Sequence, residues 1–140
     1  MRIATAIPVR HTEQLRDGTF LLVGAGASRV RVKGAFPSAV AVRAFVEVAC
    51  EPNEATAGAH HLTAEVLGPQ LTAVTADPLR VEFDVQPGPG SVPGWEAKIP
   101  FTIAVRFEAA EPGAYSLELT ADDASHSLPF LVEAVQQNQA

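Results

Sequence analysis

LRVEFDVQ, residues 79–86, is the stretch on which the reading of this chain turns. Val81, Phe83 and Val85 alternate with Glu82 and Asp84, so an extended backbone puts the apolar side chains on one face and the carboxylates on the other. The same period of two continues on either side. In IPFTIAVRFE, 99–108, Phe101, Ile103, Val105 and Phe107 oppose Thr102, Ala104 and Arg106. In VAVRAFVEVAC, 40–50, Val42, Ala44, Val46 and Val48 share one face while Arg43, Phe45 and Glu47 take the other, which predicts a strand buried on one side and partly covered on the second. Tyr115, Leu117 and Leu119 repeat the pattern, and Leu128, Phe130 and Val132 close it.

Helical spacing of three and four is sustained in no window, and turn chemistry punctuates the strands: RDGT at 16–19, GAG at 24–26, KGAFP at 33–37, LGPQ at 67–70, EPG at 111–113 and ADDAS at 121–125. The pattern predicts strands over 2–8, 19–24, 28–33, 39–50, 59–67, 70–75, 79–86, 98–108, 114–120 and 125–134, with room for a helical turn only at 11–16. Short strands at this spacing predict an all-β fold, an antiparallel immunoglobulin-like β-sandwich. A chain of 140 residues, 47% hydrophobic and 19% charged, holds one core, so 1–134 is read as a single domain and 135–140 as a frayed tail.

Compartment and partners follow from what the composition excludes. A lone Cys50 cannot close an intramolecular disulfide, and MRIATAIPVRHTEQLRDG lacks the apolar run of a signal peptide, so a cytoplasmic location is expected. No segment has the apolar length of a spanning helix, so no membrane is expected. Net charge is −6, but unevenly spread: residues 1–45 carry seven basic against two acidic side chains, +5, and the rest three against fourteen, −11. Nucleic acid is disfavoured by this balance and by the lack of aromatic residues among the cations.

Each chemistry can be tested against its residues. Gly24-Ala25-Gly26 is not a phosphate loop, because Arg29 stands where a third glycine belongs and RVRVK alternates as a strand. Adjacent His60 and His61 point to opposite faces and cannot chelate one ion, so no metal and no cofactor is expected. Cys50 ends an apolar strand as a small buried hydrophobe, and Glu82 with Asp84 reads as a solvated face. No catalytic residues are assigned, and the chain is not expected to be an enzyme.

Arg29, Arg31 and Lys33 are the most pointed feature: one strand face carries three cations in a row. Either a cross-strand carboxylate such as Glu82, Asp84 or Glu118 neutralises them, or they meet an acidic partner. Trp95 follows the segment QPGPGSVPG, where Pro and Gly exclude regular pairing; it is read first as a cap over the open end of the core and second as a recognition residue.

The closing segment, EPGAYSLELTADDASHSLPFLVEA, resembles the last hairpin of an immunoglobulin-like sandwich, which implies a tyrosine corner at Tyr115, its hydroxyl bonding back to the preceding turn. The opening strand after Met1, DGTFLLVGAGASRV at 17–30, Phe36-Pro37, AVAVRAFVEV, HLTAEV at 61–66 and the PGAY and LPF elements together resemble a family of short uncharacterised bacterial proteins, a domain of unknown function. That resemblance implies a single sandwich and no assigned activity. The functional expectation is a non-catalytic protein-binding or scaffolding module, contacting a protein partner or a second copy through strand edges, the basic stripe and Trp95. The alternative is a self-assembling structural subunit, and behind it a small β-sandwich enzyme.

Overall fold

The computed structural model describes residues 1–52, 58–75, 77–85 and 94–135. Ten strands carry these residues: β1 (Arg2–Val9), β2 (His11–Gln14), β3 (Phe20–Val23), β4 (Arg29–Lys33), β5 (Ser38–Cys50), β6 (Ala59–Leu67), β7 (Leu79–Asp84), β8 (Ala97–Ala109), β9 (Gly113–Ala121) and β10 (Ala124–Val135). They form a three-stranded sheet in the order β1-β5-β8, a five-stranded sheet in the order β4-β10-β9-β6-β7, and a two-stranded β2-β3 sheet. The described residues contain no helix, so the chain is all-β.

Alternation in the sequence becomes layering in space. Val42, Ala44, Val46 and Val48 of β5 and Ile103, Val105 and Phe107 of β8 bury the same side of the smaller sheet, while Leu62, Ala64 and Val66 of β6, Leu117 and Leu119 of β9 and Val132 of β10 bury one side of the larger. All belong to one continuous core. Rings knit its two ends: Phe107 lies 5.5 Å from Tyr115 and 5.8 Å from Phe130, and Phe83 lies 5.0 Å from Phe101. Each fully buried aliphatic side chain contributes about 2 kcal/mol of transfer free energy, so the inner faces supply the main driving force.

The Tyr115 hydroxyl donates to the Glu111 carbonyl at 2.7 Å, the bond back to the preceding turn that the closing segment implied. The second face of β5 is half-buried at Phe45 because Phe20 of β3 covers it, ring centroids 5.5 Å apart.

Three expectations are corrected. Residues 11–14 are not helical: HTEQ forms β2, which finds its ladder partner in β3. Residues 70–75 are not a strand; Leu71 takes a positive φ of 61°, its N–H donates to Gly68, and the chain folds back so that only Ala73 bridges to Leu67. The sheets are antiparallel at every pairing but one: β4 runs parallel to β10, because the long excursion through five strands between them lets the chain enter that edge in either direction. Residues 86–93, the Pro and Gly segment before Trp95, and the tail 136–140 lie outside the described residues.

Candidate functional site

Immediately after β1, the Arg10 N–H donates to the Val23 carbonyl at 2.9 Å, and the chain runs straight into the β2–β3 hairpin. Its tip is closed by Leu15 N–H to Thr19 at 2.7 Å and Gly18 N–H to Leu15 at 3.0 Å, with Gly18 at φ 87°, where a side chain would be strained. The Thr19 hydroxyl and N–H both donate to the Asp17 carboxylate, which holds its pKa below the usual carboxylate value. Alternation then sorts β3. Phe20 turns inward onto Phe45, and Leu21 and Val23 turn away from the body. Together with Leu15 they are 48%, 46% and 45% exposed. Glu13 lies opposite Leu21 and His11 opposite Val23, so both share that outer face, 3.3 Å apart as an exposed pair.

Next to the root of the hairpin lies a depression of about 190 Å³, walled by Arg10, Arg29 and Arg43 and floored by Val9, Val30 and Val42. The backbone around it is tightly tied. Gly26 N–H donates to Pro8 at 2.8 Å, and Gly24 leaves room for the Arg10 stem: a Cβ there would sit 2.8 Å from Arg10 Cγ. Arg43 Nη1 reaches the Arg10 carbonyl at 3.5 Å, the outer limit of a hydrogen bond. The GAG segment thus sets the path of an arginine.

The structure partly disperses the sequence candidates. Arg29 and Arg31 share one carboxylate, Glu133 of β10, at 3.5 and 3.9 Å, a partner different from the three expected. Glu118 instead accepts from Ser116 and Ser127, and Glu82 lies 3.8 Å from His61. Lys33 has no carboxylate partner among the described residues. Trp95 does not cap the core: it is 72% exposed, beside Glu96, which pairs with Arg2 at 2.7 Å. The edges of the two large sheets are β1 and β8, and β4 and β7. Pro100 on β8 lacks an N–H, which suits an edge.

One polar pair, a buried histidine with an exposed aspartate, was not read from the sequence. His60, 5% exposed and 5.7 Å from the Phe83 ring, meets the Asp122 carboxylate at 2.6 Å through Nδ1. Asp122 Oδ1 accepts the His61 N–H at 3.0 Å, and the Asp122 N–H donates to the His61 carbonyl at 3.0 Å. Desolvation pushes the Asp122 carboxyl up, but the bonds from His60 and His61 outweigh it and hold the pKa below the usual value. These contacts fasten the β9–β10 turn to β6. Cys50 is wholly buried, and among the described residues no group of three or more His, Cys, Asp or Glu side chains is placed to hold a metal ion.

The sequence reading missed Leu15, Leu21 and Val23 as a surface, because their exposure depends on which side of β3 the body covers. It missed Arg10 and Arg43 beside Arg29 because three separate elements bring them together. No protein-family model matches the chain, and no curated protein matches it. No helix among the described residues is long and apolar enough to cross a membrane.

Proposed function

We propose that this chain is a cytoplasmic protein-binding or scaffolding module of immunoglobulin-like sandwich architecture, related to the short bacterial family its segments resemble, and that it acts without catalysis of its own. The observation that carries the reading is the outer face of the β2–β3 hairpin. Leu15, Leu21 and Val23 are nearly half exposed there, while among the described residues no Leu, Ile or Val of the two large sheets is exposed to that extent. Adjacent exposed apolar side chains rimmed by charge are what a docking patch presents to another protein. Arg29, Arg31, Lys33 and Trp95 are proposed as further partner contacts around it.

The partner chemistry is an apolar patch with mixed charge at its rim, matching aliphatic side chains flanked by the His11–Glu13 pair. One feature favours a second copy as occupant: the face carries both His11 and Glu13, so a two-fold contact sets each His11 against the other chain's Glu13.

A photoreactive amino acid at position 21, with a control at exposed position 125, tests the reading in native cells. The expected result is a discrete adduct at 21 that Val23→Asp abolishes and that the control lacks. A product of twice the chain mass selects the self-association reading. Adducts of equal yield at both positions, or none at 21, would overturn both.

A further inference from the structure

We propose that the depression between Arg10, Arg29 and Arg43 binds the phosphate group of a small phosphate monoester. Three arginines, one on β4, one on β5 and one between β1 and β2, line one cavity of about 190 Å³, in a chain whose net charge is −6. Among the described residues none that lines it is acidic. Arg29 has Glu133 as its carboxylate partner, which it shares with Arg31 at 3.5 and 3.9 Å. Arg10 and Arg43 have no carboxylate partner among the described residues. Gathering cations without counter-charge is unfavourable, and a bound anion relieves it.

The fold sets the path of the Arg10 stem and gives Arg43 a backbone contact. Gly24, at φ 68°, gives passage to the Arg10 stem, and Gly26 ties the same loop to Pro8. Arg43 rests against the Arg10 carbonyl, so these two guanidinium groups are placed by one backbone segment. Positioned donors lose less freedom on binding than mobile ones.

Charge and lining together choose the ligand. Three planar cations match a dianionic tetrahedral group better than a monocarboxylate, which one guanidinium satisfies with two parallel bonds. The floor of Val9, Val30 and Val42 offers apolar contact to the carbon stem of an ester, which inorganic phosphate lacks. The cavity shares Arg29 with the partner contacts proposed above but includes none of Leu15, Leu21 and Val23, so phosphate binding does not depend on the docking reading.

Titration of the full chain with phenyl phosphate, phenylacetate and inorganic phosphate, followed by amide chemical shifts, tests the proposal. Phenyl phosphate is expected to move the amides of Val9, Arg10 and Arg29 and to bind more tightly than either other probe. Arg10→Ala and Arg43→Ala should each weaken it about tenfold, the worth of one charge-assisted hydrogen bond. Arg31→Ala, on the same strand as Arg29 but outside the cavity, should leave affinity unchanged. Equal loss in Arg31→Ala would mean a diffuse basic face and overturn the site. Equal affinity for phenylacetate would overturn phosphate selectivity, and equal affinity for inorganic phosphate would overturn the ester. Unchanged far-ultraviolet circular dichroism in each variant excludes loss through unfolding.

Discussion

Two hairpins of the molecule, β9–β10 and β2–β3, are both antiparallel, and they do opposite things. β9–β10 runs through nine register pairs and buries Tyr115, Leu117, Leu119, Phe130 and Val132 in the core. β2–β3 has four pairs, buries no side chain fully, and packs a ring on the body where Phe20 meets Phe45. Their turns differ in the same sense. Asp122 makes its turn part of the fold, bonded to both His60 and His61, whereas Asp17 bonds only within its own loop. A hairpin integrated on every side is a structural element. One that buries no side chain fully leaves its outer face available for contact without weakening the core.

The widest expected gap between them is in packing. Leu117→Ala on β9 should destabilise by about 3 kcal/mol, the cost of a cavity where neighbours cannot collapse, read as a lower urea midpoint with unchanged slope. Val23→Asp on β3, at an exposed position, should change stability by less than about 0.5 kcal/mol in the same measurement. Comparable losses would show that the two hairpins are not energetically distinct.

Asp122→Asn sharpens the comparison at the turns. Asn tolerates the φ of 51° at this position and keeps the side-chain shape, so the substitution removes mainly the charge. A loss of about 2 kcal/mol near neutrality is expected, the usual worth of a hydrogen bond to a charged group. The pH dependence has a fixed sign. The folded pKa of Asp122 is lowered, so its stabilisation is fully present above the unfolded value of about 3.9 and is lost as pH falls through the folded value. The wild-type and variant stabilities should therefore converge in acid, measured as urea midpoints from neutral pH downward. A gap that stays constant below about pH 4 would mean that the charge is not the stabilising element.

The same contrast explains what the sequence made legible. β7, β8 and β9 are one-sided strands, and one-sided burial leaves a period of two that can be read without any partner. β2 is HTEQ, with no apolar alternation, and it is a strand only because β3 supplies its ladder. The stretch 70–75 failed for the converse reason: its residues suit a strand, but Gly68 and Leu71 turn the chain before a ladder can form. Glu133 as the partner of Arg29 and Arg31 depends on the parallel β4–β10 pairing, and Arg10 with Arg43 on a contact across 33 residues; neither register nor distance of that kind is encoded locally. Trp95 carries an indole that burial would favour, yet it stands exposed just before β8.

Phe20→Ala tests the ring contact between this hairpin and β5 directly. A two-stranded hairpin of this length is marginal on its own, so β2–β3 persists because Phe20 anchors it to Phe45. An aromatic pair contributes about 1 kcal/mol beyond area burial, too little to unfold the two large sheets when removed. The expected outcome is a global stability loss of only about 1 kcal/mol, accompanied by near-complete loss of hydrogen-exchange protection at the laddered amides of β2 and β3. Amides of β9 and β10 should keep their protection apart from that small global decrement. If both hairpins lose protection in parallel, they open as one cooperative unit, and β2–β3 cannot change its contacts independently of the core.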